Sequence, residues 1–154
     1  MFSSDFLDFI KLLNKHKVEY MIVGGYAVGF YGYPRYTGDM DIWINTSETN
    51  AEKMMVVMKE FGVVIPGLSK EDFMRDADLS GVNFGREPLR IDVLSSIDGV
   101  KFHECYPNRT VTDFEGVIMN YINFNDLKKN KLSTGRGKDK VDVEEIEKKM
   151  KKKK

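Results

Sequence analysis

Asp39 and Asp41 stand two residues apart in the run Asp39-Met40-Asp41-Ile42-Trp43-Ile44. If that run is a strand, alternation puts both carboxylates on one face, while Met40, Ile42 and Ile44 can enter the core. Carboxylates held this close repel each other unless a cation lies between them, and hard cations such as Mg²⁺ take oxygen ligands. The structural alternative is that Asp39 caps a turn and Asp41 sits at a rim. Asp92 bears on that choice. It lies in Leu89-Arg90-Ile91-Asp92-Val93-Leu94, between apolar residues that would fill a core. An acid in an apolar strand needs a partner, because burying an unpaired carboxylate is costly. That partner is either a salt bridge, to Arg90 or Arg86, or a metal shared with the Asp39/Asp41 pair. Three carboxylates can hold two metals about 4 Å apart and stabilise the attacking and leaving oxygens of an in-line phosphoryl displacement.

Gly24-Gly25 falls where a strand would turn into a short helix. Free backbone N–H groups there can lie close to phosphate oxygens. A tight strand-to-helix turn would use the same two glycines with no ligand.

The elements that must position these residues are legible as patterns. Phe6, Phe9, Ile10 and Leu13 recur at helical spacing, giving an opening helix to about Lys15. Strands are expected at Val18–Val23 and Met40–Ile44, with a short helix from Tyr26 to Phe30 between them. Thr49 and Glu52 form a capping box for a helix with Ala51, Met54, Met55, Met58 and Phe61 on its apolar face, stopped by Gly62. A short capped helix is expected at Ser69–Arg75. Strands at Leu79–Phe84 and Leu89–Leu94 are expected to join through Gly85. Val111–Phe114 and Val117–Ile122 read as a hairpin across Glu115-Gly116. Asn125 is placed to cap a helix to Ser133, and a last helix runs from about Lys138 with Val143, Ile146 and Met150 inward. Helices mixed with strands that include a hairpin predict an α/β (α+β) fold, a mixed β-sheet flanked by helices.

Taken together, Gly24-Gly25-x-Ala27, Arg35-x-Thr37-x-Asp39-x-Asp41 and the strand acid Asp92 resemble the nucleotidyltransferase superfamily that includes DNA polymerase beta. The closer resemblance is to small bacterial nucleotidyltransferase-like proteins, such as lincosamide-resistance enzymes and toxin–antitoxin nucleotidyltransferases. Phe84–Leu94 and Lys131–Asp142 also look like stretches of that group, and the likeness covers about residues 18 to 147. Many superfamily members carry Gly-Ser at the turn; the Gly-Gly form here fits the closer branch.

The resemblance implies metal-dependent transfer of a nucleoside monophosphate from a nucleoside triphosphate to a hydroxyl acceptor. That acceptor would be a protein, an RNA end or a small molecule. Asp39 and Asp41 would bind both metals, Mg²⁺ or Mn²⁺. Asp92 would bind the catalytic metal and help deprotonate the acceptor. Gly24-Gly25 would cradle the β- and γ-phosphates. Lys131, Arg136 and Lys138 would neutralise the triphosphate, with Arg35 a further candidate, or else they are solvated helix-end charges. Asp139 and Asp142, three apart on one helix, would orient those cations rather than bind metal. At this length no extra domain to hold a large acceptor is expected. That leaves a second expectation, a weakly or non-catalytic partner within a toxin–antitoxin pair.

The length, 154 residues, fits one domain, taken as residues 1–150 with a flexible lysine tail at 151–154. Hydrophobic residues make up 42% and charged residues 31%, a globular balance that argues against disorder. The lone Cys105 cannot form an internal disulfide, so a reducing, cytoplasmic setting is expected. The uncharged stretch Tyr20–Pro34 is too short to span a bilayer, so no membrane association is expected. Net charge is zero but uneven: from Asp126 to Lys154 twelve Lys+Arg face six Asp+Glu, leaving twelve against eighteen elsewhere. Such a segment can hold a polyanion or be a solvated helix with a frayed end. Trp43 shares the face of Asp39 and Asp41, where it can pack or stack on a base. His16 and His103 have no metal-like spacing with Cys105.

Overall fold

A computed structural model describes residues 2–33, 38–75, 81–86 and 89–152. Arg35 therefore lies outside the described residues, as do Leu79, Ser80 and the final Lys153 and Lys154. In chain order the elements are α1 (Ser4–Lys15), β1 (Tyr20–Val23), α2 (Gly24–Phe30), β2 (Asp39–Ile44), α3 (Glu48–Phe61), β3 (Val82–Arg86) and β4 (Leu89–Leu94). They are followed by α4 (Phe102–Cys105), β5 (Thr110–Phe114), β6 (Val117–Tyr121), α5 (Phe124–Ser133) and α6 (Gly137–Lys152). The strands form one six-stranded mixed sheet in the order β3-β4-β2-β1-β6-β5. The β2–β4 and β1–β6 pairs are parallel and the other neighbours antiparallel.

Alternation along the central strands divides the sheet into two jobs. Met40 pairs with Ile91, and Ile91 with Phe84. Phe84 meets Phe9 of α1 and Phe61 of α3, with ring centroids 5.3 and 5.9 Å apart. This face is a dry core: Phe6, Phe9, Ile10 and Leu13 of α1 and Ala51, Met54, Val57 and Met58 of α3 are all buried. The opposite face carries the odd-numbered residues of β2 and the even-numbered residues of β4, and those positions hold the acids.

Local chemistry explains most boundaries and some departures. α1 is capped by Ser3, whose hydroxyl accepts from the Phe6 N–H. α3 is capped by Ser47, not by Thr49: the Ser47 hydroxyl accepts from the Asn50 N–H at 3.2 Å. Gly62 then ends α3 at φ 84°, the left-handed geometry glycine supplies most readily. Asn123 rather than Asn125 caps α5, accepting from the Asp126 N–H. Gly85 lies inside β3 rather than at its junction with β4. Lys70–Phe73 forms a 3₁₀ turn, closed by Ser69 and Asp72. Among the described residues no helix is long and apolar enough to cross a membrane.

Candidate active site

β2 and β4 run parallel with Asp41 directly beside Asp92 and Asp39 beside Arg90. In-register neighbours in a sheet project to the same face, so Asp39, Asp41 and Asp92 share one surface. All three line a cavity of about 440 Å³, within the range of small-molecule sites. Gly24 and Gly25, the first residues of α2, form one side of it, and Lys131, Arg136 and Lys138 contribute cations. Of the nine site residues expected from the sequence, Arg35 lies outside the described residues, and the other eight all line this cavity: Asp39, Asp41, Asp92, Gly24, Gly25, Lys131, Arg136 and Lys138.

The carboxylates feel one another. Burial, with the charges of Asp92 and Asp39, pushes the Asp41 carboxyl up to about 7 from its usual 3.8. Asp92 is raised in the same way, first by burial and then by Asp39, against the opposing charge of Arg90. Asp41 and Asp92 are hydrogen bonded, and the bond favours the proton on Asp41. Lys131 acts in the other direction, favouring the ionised form of Asp41. Among the described residues, no three acid, histidine or cysteine side chains are drawn into a ready-made metal shell. Arg90, one of the expected salt-bridge partners of Asp92, donates from Nη2 to Asn83 Oδ1 at 2.7 Å while its charge still bears on Asp92.

Gly24 has a role beyond the turn. It adopts φ 67°, and a Cβ built there would run into Asp41 Oδ2. The absent side chain is what lets the Asp41 carboxylate lie against the start of α2. Trp43 follows the acids on the same strand face, yet it is 1% exposed and packs edge-on against Phe102 of α4 at 5.2 Å. It packs rather than presenting a ring to the cavity.

On the cationic side, Lys131 is buried with two acids, while Arg136 and Lys138 are exposed. Lys131 is only 5% exposed; its Nζ lies 3.2 Å from Asp139 Oδ1 and 3.6 Å from Asp142 Oδ2. Besides the strand ends Val23 and Leu94, the lining includes residues that sequence patterns did not indicate: Ser96, Ile97 and Asp98 after β4, and Asn130 and Thr134 on and after α5. The loop bearing Asp98 is tied to α5 by Asn130 Nδ2, which donates to the Asp98 carbonyl at 3.0 Å. Gly99 in that loop, at φ 80°, packs where a Cβ would strike Ser133 Oγ. A glycine beside an acid is the one trace of this wall in the sequence.

No family's sequence model matches the chain, and no curated protein matches it. Among solved structures, it is similar to an antigenic nucleotidyltransferase-like protein from Paracoccidioides brasiliensis. That likeness has a TM-score of 0.57 at 19% identity and covers 94% of this chain and 76% of the other. The chain has the nucleotidyltransferase fold. Within that fold the mixed sheet carries its acids on the face opposite α1 and α3, and the cavity opens beside the start of α2.

Proposed function

We propose that this protein transfers a nucleoside monophosphate from a nucleoside triphosphate to a hydroxyl acceptor and releases pyrophosphate. The observation that carries the reading is the single cavity in which three mutually repelling carboxylates face Lys131, Arg136 and Lys138.

The donor set fits a hard divalent cation: the ligands are carboxylate oxygens, and their repulsion, which raises Asp41, is relieved by positive charge between them. Asp39, Asp41 and Asp92 would hold Mg²⁺ or Mn²⁺. When bound, the metal supplies charge neutralisation at the reacting phosphate and favours the ionised acceptor oxygen.

The chain's own residues do the rest. The acceptor oxygen forms a bond to the α-phosphorus as the bond to the β-phosphate oxygen breaks. The acceptor's proton passes to Asp92, whose affinity for a proton is raised by burial and by Asp39. The leaving pyrophosphate departs towards Lys131, Arg136 and Lys138, whose charges oppose its own. Gly24-Gly25, without side chains, leaves the cavity wall open to close approach by phosphate oxygens.

The test is incubation with each α-labelled nucleoside triphosphate, Mg²⁺ or Mn²⁺, and cell lysate. Label on a protein, RNA end or small molecule with wild type, and none with Asp41→Asn, supports the reading. No label and no pyrophosphate with any nucleotide overturns it.

A further inference from the structure

Asp139 is fully buried and does not line the cavity, yet its carboxylate is bonded to three residues that do. Lys131 Nζ donates to Oδ1 at 3.2 Å, Arg136 Nε donates to Oδ2 at 2.6 Å, and Thr134 Oγ1 donates to Oδ2 at 2.5 Å. These three belong to the end of α5 and the link into α6, so one carboxylate gathers a whole segment around itself. Asp139 also lies in the first turn of α6, where the helix favours negative charge. Burial alone would raise its pKa, but the Thr134 bond, the Lys131 charge and the Arg136 bond bring it below the ordinary value. It is an anion held for its partners.

We infer that Asp139 is a positioning residue that preorganises the phosphate-binding wall of the cavity by fixing Lys131, Thr134 and Arg136. The inference rests on the proposed nucleotide reading of the cavity. Lys131 and Arg136 are long and rotamer-rich, and each loses freedom when it meets a ligand. The Arg136 side chain is 57% exposed, so without Oδ2 it is free to swing into solvent. With Asp139 in place, that ordering is complete before phosphate arrives, which strengthens binding.

The test uses magnesium tripolyphosphate, which carries the phosphate chain without a base, and calorimetric Kd values at about 0.15 M ionic strength. Asp139→Asn keeps the shape and removes one negative charge. If Asp139 acted only through its charge, its loss would tighten the anion. A purely structural residue would lower the melting temperature and leave the Kd of the folded protein unchanged. Positioning predicts the opposite of the first and more than the second: Kd rises about tenfold to a hundredfold, the scale of a lost charge-assisted hydrogen bond. It also predicts that Asp139→Asn adds little once Lys131 and Arg136 are both replaced by Gln, because its route is then gone. A Kd that falls, stays level, or rises equally in that background overturns the inference. If Asp139→Asn does not fold, Arg136→Lys decides: it keeps the charge but not the Nε bond, and an unchanged Kd overturns the inference. Wild type that binds neither tripolyphosphate nor any nucleoside triphosphate instead defeats the nucleotide reading, and this inference with it.

Discussion

Replacing Asp41 with Asn should make the metal-free protein more stable at neutral and alkaline pH. Asp41 is pushed up to about 7, from 3.8, by burial and by the charges of Asp92 and Asp39. The folded state therefore keeps its proton after the unfolded chain has lost its own. Between about pH 4 and pH 7 the native state binds more protons than the unfolded one, so stability falls as pH rises and levels off above 7. A shift of about 3 pH units at 1.36 kcal/mol each gives about 4 kcal/mol. Asp41 is partly open to the cavity, and solvent screening brings the expected figure to about 2 kcal/mol. Asn is a close mimic of the protonated carboxyl and can keep the hydrogen bond to Asp92. For a chain of 154 residues that is about 4–8 °C in melting temperature at pH 8. The assay is a series of thermal melts of both proteins from pH 5 to 8 in EDTA, where the gap should open with rising pH. A mutant that melts below wild type at pH 8, or a gap that does not change with pH, refutes the reasoning.

Gly24→Ala should both destabilise the chain, by about 1–2 kcal/mol for the left-handed backbone, and displace Asp41; a melt and a Mg²⁺-nucleotide shift both near wild type would contradict this. Gly25→Val should weaken nucleotide binding more than it lowers the melting temperature, measured by calorimetry and by melts; equal loss of both returns the glycine pair to a structural turn. Lys131→Met should cost about 3 kcal/mol or more in urea unfolding at pH 7, because it leaves the buried Asp139 and Asp142 without their shared ammonium. A loss under about 1 kcal/mol would show that Arg136 and Thr134 suffice to hold Asp139.

What was legible in the sequence followed short-range rules. Asp39, Asp41 and Asp92 stood out because acids interrupt apolar strands, and parallel pairing of β2 with β4 is what sets Asp41 beside Asp92. The hairpin at Glu115-Gly116 was marked by residues that take φ 51° and 87° there. The caps of α3 and α5 were misplaced for a different reason. Each had two competent polar residues near its start, and at α3 tertiary contacts favour the earlier one. Asn50, for instance, is buried and bonded to the backbone of Glu19 and Asn45, which commits the chain to helix from Glu48 onward. The short α4 was not foreseen, being a single turn whose Phe102 covers Trp43. The far wall of the cavity was harder still. Ser96, Asp98 and Asn130 come together only because the loop after β4 rests on α5, a contact with no local pattern to announce it.

The central claim is that the three carboxylates bind nucleotide through a divalent cation. Its most direct test is calorimetric titration of each nucleoside triphosphate into wild type and Asp41→Asn, in Mn²⁺ and again in EDTA. Saturable binding of at least one nucleotide is expected for wild type in Mn²⁺, with binding lost in EDTA and lost in the mutant. Binding that survives both the chelator and the Asn substitution would contradict it.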